Sequence, residues 1–447
     1  MTEHLKLSRI TKPLTDSQGI EFILAEQRLA SVYIAIVADE ISRTSIAGQA
    51  ALLMALATSR KVFNHVVLVS SKDIGLRRPI PGANTLISAA HILGVDVSQE
   101  IPATTTHTII FDASQSGHGF IVRCWWDRWC AGVLPKWDTR PLGEDWNPLA
   151  GSFAGALAIR EIFAQILGSR VNNPRTSVIS IWEPWKKAED AESGPTNIFI
   201  PKNLWIVGLG HLGQGFLWNL GMLPAHGEKL VLQDYQYAGI ENEATGLLTT
   251  HTCIGMRKTR VAARWIEQFG WKTELIERKI TSETKISPDD PSLVISGLDN
   301  PRPRLDVLNA GFAYMIDSGV GHGPVDFESS QIRVFAKGDA PSWSHGIPNR
   351  GRESLMEKAP YKTIAKSNPC GAFQLADASV AVPFVGAAIG ALAVTQALRL
   401  AAMLEAPSLI QIELSAPDFS SANRLAPKPT VGLGCVSLNL KTGEFTP

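Results

Sequence analysis

A glycine-rich hexapeptide, Gly208-Leu209-Gly210-His211-Leu212-Gly213, has the spacing of a phosphate-binding turn. It directly follows the apolar run Trp205-Ile206-Val207 and precedes a helical pattern. Gly208, Gly210 and Gly213 would permit a tight turn and a close approach of the main chain to phosphates, which the N-terminus of the helix attracts. The segment therefore predicts a nucleotide site, although the same glycines also suit a turn that only packs a helix on a strand.

Acidic, amide and basic residues follow this motif in an order that suits nucleotide chemistry. Asp234 ends the next strand-like run, where a carboxylate can accept hydrogen bonds from the ribose hydroxyls of either NAD or ATP. Asn242 comes next, Gly255-Met256-Arg257-Lys258 opens a helical pattern, and Asp299-Asn300 ends another strand-like run. A lysine and a metal-binding carboxylate can stabilise negative charge that develops on phosphate oxygens.

This order of residues resembles the ubiquitin-activating-enzyme superfamily, which includes the bacterial adenylyltransferases of molybdopterin- and thiazole-synthesis sulfur carriers. The family pattern DxD…SNxxRQ…GxxK…TDN…R matches Asp234, Asn242, Lys258 and Asp299-Asn300 over residues 200–400. The resemblance implies ATP and Mg²⁺ as cofactors, with Lys258 on the phosphates and Asp299 holding the metal. It also implies that the substrate is a ubiquitin-like protein with a C-terminal glycine, whose carboxylate is adenylated.

Two parts of the family pattern are altered. Gln236 stands where the second Asp of DxD is expected, and Thr245-Gly246 replaces the Arg-Gln pair whose arginine contacts the nucleotide phosphates. We expect Arg257, Arg260 or a residue from the other half of the chain to compensate. Without such compensation, catalysis would be slower than usual or the protein would be catalytically inactive.

The cysteines are candidates for the step after adenylation, because a thiolate attacks an acyl-adenylate readily. Cys370 follows the long irregular stretch 337–369, and relatives in the family place a reactive cysteine in this general region. Cys253, between Asn242 and Lys258, is the second candidate. A thioester on the enzyme would then pass to a conjugating enzyme. The five cysteines form no CxxC pair, so we expect neither zinc nor disulfides and a cytoplasmic location.

The chain contains an internal repeat. The segments PLAGSFAGALAIRE, from Pro148, and PFVGAAIGALAVTQ, from Pro383, align without a gap. Their glycines recur four residues apart, which places them on one face of a helix where another element can approach closely. The first copy ends in the charged residues Arg160 and Glu161, so we expect two buried helices and no membrane span.

Strands alternate with helical patterns in both halves, which predicts an α/β fold with doubly wound parallel sheets. We predict two Rossmann-like halves that form a pseudo-dimer within the chain. Residues 1–190 would be an inactive adenylation-like domain and residues 198–447 the active ATP-binding domain, joined by the polar segment 186–197. The first half lacks a GxGxxG motif, so we expect it to be degenerate. Family members carry an arginine that reaches from one half into the partner's site, and Arg43, before the first helical stretch, is our candidate.

Composition bears on the remaining function classes. The 447 residues include 42 Lys+Arg and 42 Asp+Glu, a balance that gives no sign of a nucleic-acid-binding face. An NAD- or FAD-dependent oxidoreductase would explain the glycine motif and Asp234, but it would not explain Lys258 or Asp299. A sulfur-carrier adenylyltransferase would also fit the motifs, as would an inactive scaffold with the same fold.

Overall fold

The computed structural model describes residues 9–321, 323–340, 355–368, 372–373, 375–376, 378–423 and 429–446. Within these ranges, helices α1–α12 span Lys12–Gln18, Phe22–Ala30, Glu40–Thr44, Ile46–Val62, Leu86–Ile92, Pro148–Ile166, His211–Met222, Ile240–Thr245, Lys258–Ile266, Pro301–Leu308, Ala359–Ser367 and Pro383–Ala401. Strands β1–β20 span Tyr33–Val37, His65–Val69, Gly75–Ile80, Ala83–Thr85, Asp96–Ser98, His107–Ile110, Phe120–Asp127, Cys130–Pro135, Ser177–Ser180, Asn197–Pro201, Asn203–Val207, Lys229–Gln233, Lys272–Ile276, Leu293–Ser296, Tyr314–Val320, Ser329–Ala336, Leu409–Glu413, Ser421–Ala422, Cys435–Asn439 and Phe445–Thr446.

Two large sheets dominate the fold, and their strands follow the same order. The first is β5-β2-β1-β6-β7-β8-β9 and the second is β13-β12-β11-β14-β15-β16-β17-β18. In each sheet the first five of these strands are parallel and the rest are antiparallel. The α/β fold with largely parallel sheets is therefore confirmed. Parallel strands covered on both faces are apolar along their length, which explains runs such as Leu204-Trp205-Ile206-Val207.

The repeated glycines mark the closest helix–helix contacts. In the first half, a Cβ atom on Gly151 or Gly155 of α6 would overlap the main-chain oxygens of α4. In the second half, a Cβ atom on Gly386 would lie 2.7 Å from the oxygen of His211, and one on Gly390 would lie 2.5 Å from the oxygen of Gly215 in α7. The glycine-bearing helix therefore packs closely against α4 in the first half and against α7 in the second half.

The helices α6 and α12 are also long and apolar enough to cross a membrane, by length and composition. Most of the α6 window and all of the α12 window are buried inside the protein. As predicted for the second copy of the repeat, α12 is a buried core helix.

A buried ion pair joins α6 to the second sheet. The Nε and Nη2 atoms of Arg160 donate to the two carboxylate oxygens of Glu328, both at 2.8 Å. The ring of Phe163 lies 5.5 Å from that of Phe384 on α12 and 6.2 Å from that of Phe327. Glu161 also pairs with Arg160, so it is loss of the arginine that would leave the buried carboxylate of Glu328 without this cation, which is strongly destabilising.

Candidate nucleotide site

A cavity of about 450 Å³ opens where β11, β12 and β14 end. These strands are parallel, so their carboxyl ends meet at one edge of the sheet, which is the usual position of a ligand site in this architecture. The cavity is lined by most of the nucleotide-binding residues that the sequence predicted: Gly208, Gly210, Asp234, Asn242, Lys258, Asp299 and Asn300.

The glycine loop connects β11 to α7. Gly208 has a φ angle of +83°, a conformation that favours glycine. Gly213 does not line the cavity, because it packs against the loop itself, where a Cβ atom would overlap the carbonyl oxygen of Gly208. Gly213 thus lets α7 approach the loop closely, while Gly208 and Gly210 face the cavity.

Asp234 holds the loop in place from the end of β12. Its Oδ2 atom accepts a hydrogen bond from the main-chain N–H of Leu209 at 2.8 Å, and its Oδ1 atom accepts one from that of Gln236 at 2.8 Å. A carboxylate oxygen can accept more than one hydrogen bond, so both oxygens can also accept from ribose hydroxyls.

Lys258 begins α9 and is 7% exposed. Its Nζ atom donates to Oε1 of Gln236 at 2.6 Å. The residue that departs from the DxD pattern is therefore a neutral partner for this ammonium group. A neutral amide leaves the positive charge of Lys258 uncompensated by its nearest partner, so that charge is available to a phosphate.

Asp299 and Asn300 follow β14 at the exposed side of the cavity, and the Nδ2 atom of Asn300 donates to Oδ1 of Asp299 at 3.1 Å. No group of three or more His, Cys, Asp or Glu side chains that could hold a metal occurs in the described ranges. A Mg²⁺ ion usually takes one or two carboxylates together with water and substrate phosphates. Asp299 fits that role.

Arg304, on α10, braces the turn that carries Asp299. Its Nε atom donates to the main-chain oxygen of Leu298 at 2.7 Å, and its Nη1 atom lies 3.3 Å from Oδ2 of Asp317. Burial raises the pKa of Asp317, and the guanidinium of Arg304 acts in the opposite direction. Arg304 also lines the cavity.

Arg9 reaches this cavity from the N-terminal half, a position that the sequence patterns did not predict. Its guanidinium donates from Nε to the main-chain oxygen of Ser379 at 2.7 Å and from Nη2 to Oγ of Ser379 at 2.5 Å. Burial lowers the pKa of Arg9, whereas the nearby carboxylates of Asp299 and Glu241 raise it. The only signal in the sequence was its position just before Thr11-Lys12-Pro13, where the proline marks the start of α1.

A buried polar cluster anchors the helix that follows Arg9. The Nζ atom of Lys12 lies 3.1 Å from Oδ2 of Asp16 and donates to the hydroxyl of Tyr361 and to the oxygen of Leu375, both at 2.8 Å. The Tyr361 hydroxyl donates to Oδ1 of Asp16 at 2.8 Å. The cluster joins α1 to α11 and so fixes the segment from which Arg9 enters the cavity.

Arg43 does not occupy the position expected of it. It lies within the short helix α3, which α1 and α2 precede, and not before the first helix. Helical spacing brings it to Glu40, whose Oε2 atom lies 2.9 Å from its Nη2 atom. Arg43 is not among the residues that line the cavity.

The other arginines expected to replace the family arginine at Thr245 also lie elsewhere. Arg257 donates to the main-chain oxygen of Tyr235 at 2.6 Å, and Arg260 lies 3.0 Å from Glu277. Neither is among the residues that line the cavity. Of the replacements that we expected, the one at the site is a residue from the other half of the chain, Arg9.

Of the two candidate cysteines, Cys253 lies within the described residues. Cys370 lies outside the described residues. Cys253 is 9% exposed, packs with Ala238 and Val261, and has its Sγ atom 3.3 Å from Oγ1 of Thr250. It is not among the residues that line the cavity.

Comparisons with known proteins show the family of the chain. Residues 33–180 match the family model of the BilD N-terminal domain, and residues 200–403 match that of the BilD C-terminal domain. The chain is 31% identical over 412 residues to the bacterial E1-like protein BilD of Collimonas sp. (strain OK412), an alignment that covers 89% of each chain. The chain belongs to the BilD family of bacterial E1-like proteins.

Proposed function

We propose that this chain uses ATP and Mg²⁺ to adenylate the C-terminal glycine carboxylate of a ubiquitin-like protein. The observation that carries the proposal is the convergence in one cavity of a glycine loop, Asp234, Lys258, Asp299 and Arg9. An NAD- or FAD-dependent oxidoreductase would need the loop and Asp234, but it would not need two cations and a further carboxylate. Membership of an E1-like family also supports activation of a ubiquitin-like protein.

Each of these residues would have a role in adenylation. A carboxylate oxygen of the carrier attacks the α-phosphorus, an oxygen–phosphorus bond forms, and pyrophosphate leaves with the electrons of the broken bond. Negative charge grows on the phosphate oxygens, where Lys258 and Arg9 can stabilise it. Asp234 would bind the ribose, and Asp299 would hold Mg²⁺, which would neutralise charge on the departing pyrophosphate.

The proposed architecture is a pair of Rossmann-like halves within one chain, with residues 1–190 inactive and residues 198–447 active. The shared strand order of the two sheets supports it, as does the matching pair of close helix contacts. In the first half the short helix α3 follows β1, at the position where the second half has its glycine loop. The first half would serve by supplying Arg9.

The adenylate would then pass to a thiol. We assign that step to Cys370, whose thiolate would attack the carrier's carbonyl carbon and release AMP, leaving a thioester. A conjugating enzyme would accept the carrier from there, in the cytoplasm. Direct transfer of the adenylate to a sulfur donor would instead make the chain a sulfur-carrier adenylyltransferase.

The test is carrier-dependent exchange of radiolabelled pyrophosphate into ATP. The wild-type protein should catalyse the exchange only when a ubiquitin-like protein that ends in glycine is present. Lys258→Ala should lower the rate by about 10²–10³-fold while the protein stays folded, because the lysine acts on charge that develops in the transition state. Lys272→Ala, at an exposed position on β13, is the matched control and should keep the wild-type rate.

Two results would count against this function. A wild-type rate of pyrophosphate exchange in Lys258→Ala would show that Lys258 does not stabilise the transition state. Absence of exchange in the wild type with every glycine-ending carrier, together with retained binding of a partner protein, would favour an inactive scaffold.

A further inference from the structure

Lys61 lies near the C-terminal end of α4, in the half of the chain that lacks a glycine loop. Its Nζ atom donates hydrogen bonds to the main-chain oxygens of Glu243, at 2.8 Å, and Thr249, at 2.7 Å. Both acceptors belong to the second half. A charged donor that satisfies two carbonyl groups makes a stronger contact than a neutral one.

One acceptor, Glu243, belongs to the helix α8 that contributes to the wall of the nucleotide cavity, and the other, Thr249, lies four residues after the end of that helix. Glu243 lies in α8, whose residues Asn242 and Thr245 line that cavity. The segment after α8 is tied to the glycine-loop helix through Gln214, since the side chain of Gln214 donates to Oγ1 of Thr249 at 2.9 Å. Lys61 thus contacts α8 and the segment that follows it from outside the cavity.

We propose that Lys61 is a positioning residue for the nucleotide, through which the first half sets the affinity of the second. The inference rests on the proposed function for the identity of the nucleotide. Lys61 does not touch the nucleotide and acts through α8. Loss of its hydrogen bonds would free α8 to shift and would move Asn242 and Thr245 away from the ligand.

The surroundings of Lys61 make the contact dependent on pH. Burial lowers the pKa of Lys61 to about 8, while Glu243 and Cys253 raise it and Arg60 lowers it further. The same side of α8 faces a second, larger cavity, whose other titratable lining groups are Glu26, Glu241 and His251. Because the charged form of Lys61 binds the carbonyl groups more strongly, nucleotide affinity should fall as the pH rises through about 8.

The experiment measures the dissociation constant of ATP with Mg²⁺ by calorimetry, without a carrier, from pH 7 to 9.5. Lys61→Met should raise the dissociation constant about tenfold at pH 7 and abolish its rise with pH. Lys61→Arg keeps the charge throughout this range, so it should bind nearly as tightly as the wild type at pH 7 and show no loss of affinity at pH 9.5. Lys72→Met is the matched control, since Lys72 is an exposed lysine of the first half that lines neither cavity.

The outcomes separate this inference from the proposed function. Wild-type affinity in Lys61→Met, or a pH profile in Lys61→Arg that matches the wild type, would overturn the role of Lys61 while leaving ATP binding in place. If the wild type binds no ATP, the proposed function fails instead. A merely structural role would lower the melting temperature of Lys61→Met without changing the pH profile of binding in the folded variants, and that result would also overturn the inference.

Discussion

Arg9 donates to Ser379 from two guanidinium nitrogens, across a sequence separation of 370 residues. Ser379 and Arg9 both line the nucleotide cavity, together with the glycine loop. The contact therefore brings a cation from the first half of the chain to a site that is otherwise built from the second.

Arg9→Ala should reduce carrier-dependent pyrophosphate exchange by about 10²–10³-fold, because a cation aimed at the phosphates is lost. Arg9→Lys should recover only part of the rate, since a lysine cannot reproduce both contacts to Ser379. Arg28→Ala, which removes an exposed arginine of α2, is the control and should be as active as the wild type. Wild-type exchange in Arg9→Ala would show that Arg9 only anchors the N-terminus.

Gly390→Val should lower the free energy of unfolding by about 1–3 kcal/mol, because the new side chain would meet the main chain of α7. Gly155→Val should have a similar effect through α4. Urea denaturation followed by circular dichroism measures both, with Gly432→Ala as the control at an exposed glycine that has open space around it. A midpoint equal to that of the wild type in either valine variant would contradict the close packing described for that half.

His211 should make stability depend on pH on the acid side. Burial lowers the pKa of His211 to about 4, the hydrogen bond to Val382 raises it, and Arg9 lowers it further. The unfolded chain binds a proton near pH 6.5 and the folded chain only near pH 4, so the stabilisation is fully present above pH 6.5 and declines as the pH falls toward 4.

The measurement for His211 is the melting temperature at pH 7 and pH 5. His211→Asn removes the titrating group, so it should lose less stability between these two values than the wild type does. His91→Asn changes an exposed histidine of α5 and should behave as the wild type does. An equal decrease in melting temperature in the wild type and in His211→Asn would mean that another group causes the loss of stability at acid pH.

Cys370→Ala should still form the carrier adenylate but should form no thioester that a thiol reagent can release. Cys253→Ala should keep the thioester, since Cys253 is buried and does not line the cavity. Gel electrophoresis with and without reductant, after incubation with ATP and carrier, distinguishes the two. A thioester that persists in Cys370→Ala and disappears in Cys253→Ala would move the role to Cys253.

Local patterns were enough to predict the α/β fold and the elements around the loop. Strand runs such as Leu204-Trp205-Ile206-Val207 are apolar throughout, and the glycines of α12 recur at helical spacing, so both elements could be predicted from neighbouring residues. Parallel pairing then brings Asp234 and Asp299 to one edge of the sheet, which is why residues distant in sequence were predicted together and lie together.

Contacts between the halves could not be predicted in this way. Arg9 and Arg43 are both arginines close to a helix start, and nothing within a few residues of either distinguishes them. The two arginines are distinguished by the anchoring of α1, in which Lys12 contacts Tyr361, a residue far away in sequence. Lys61 was missed for the same reason, since its partners are main-chain oxygens, which leave no mark on residue type.

In the first half, the helix α3 follows β1 at the position where the second half has its glycine loop. This difference determines how many nucleotides one chain should bind. A homodimer of identical adenylating halves has two equivalent active centres, each completed by an arginine of the other. Here one half carries the loop and the other supplies Arg9, so a chain should bind one nucleotide and produce one acyl-adenylate per cycle, whatever oligomer it forms. The first half is then free to vary wherever it does not touch the second.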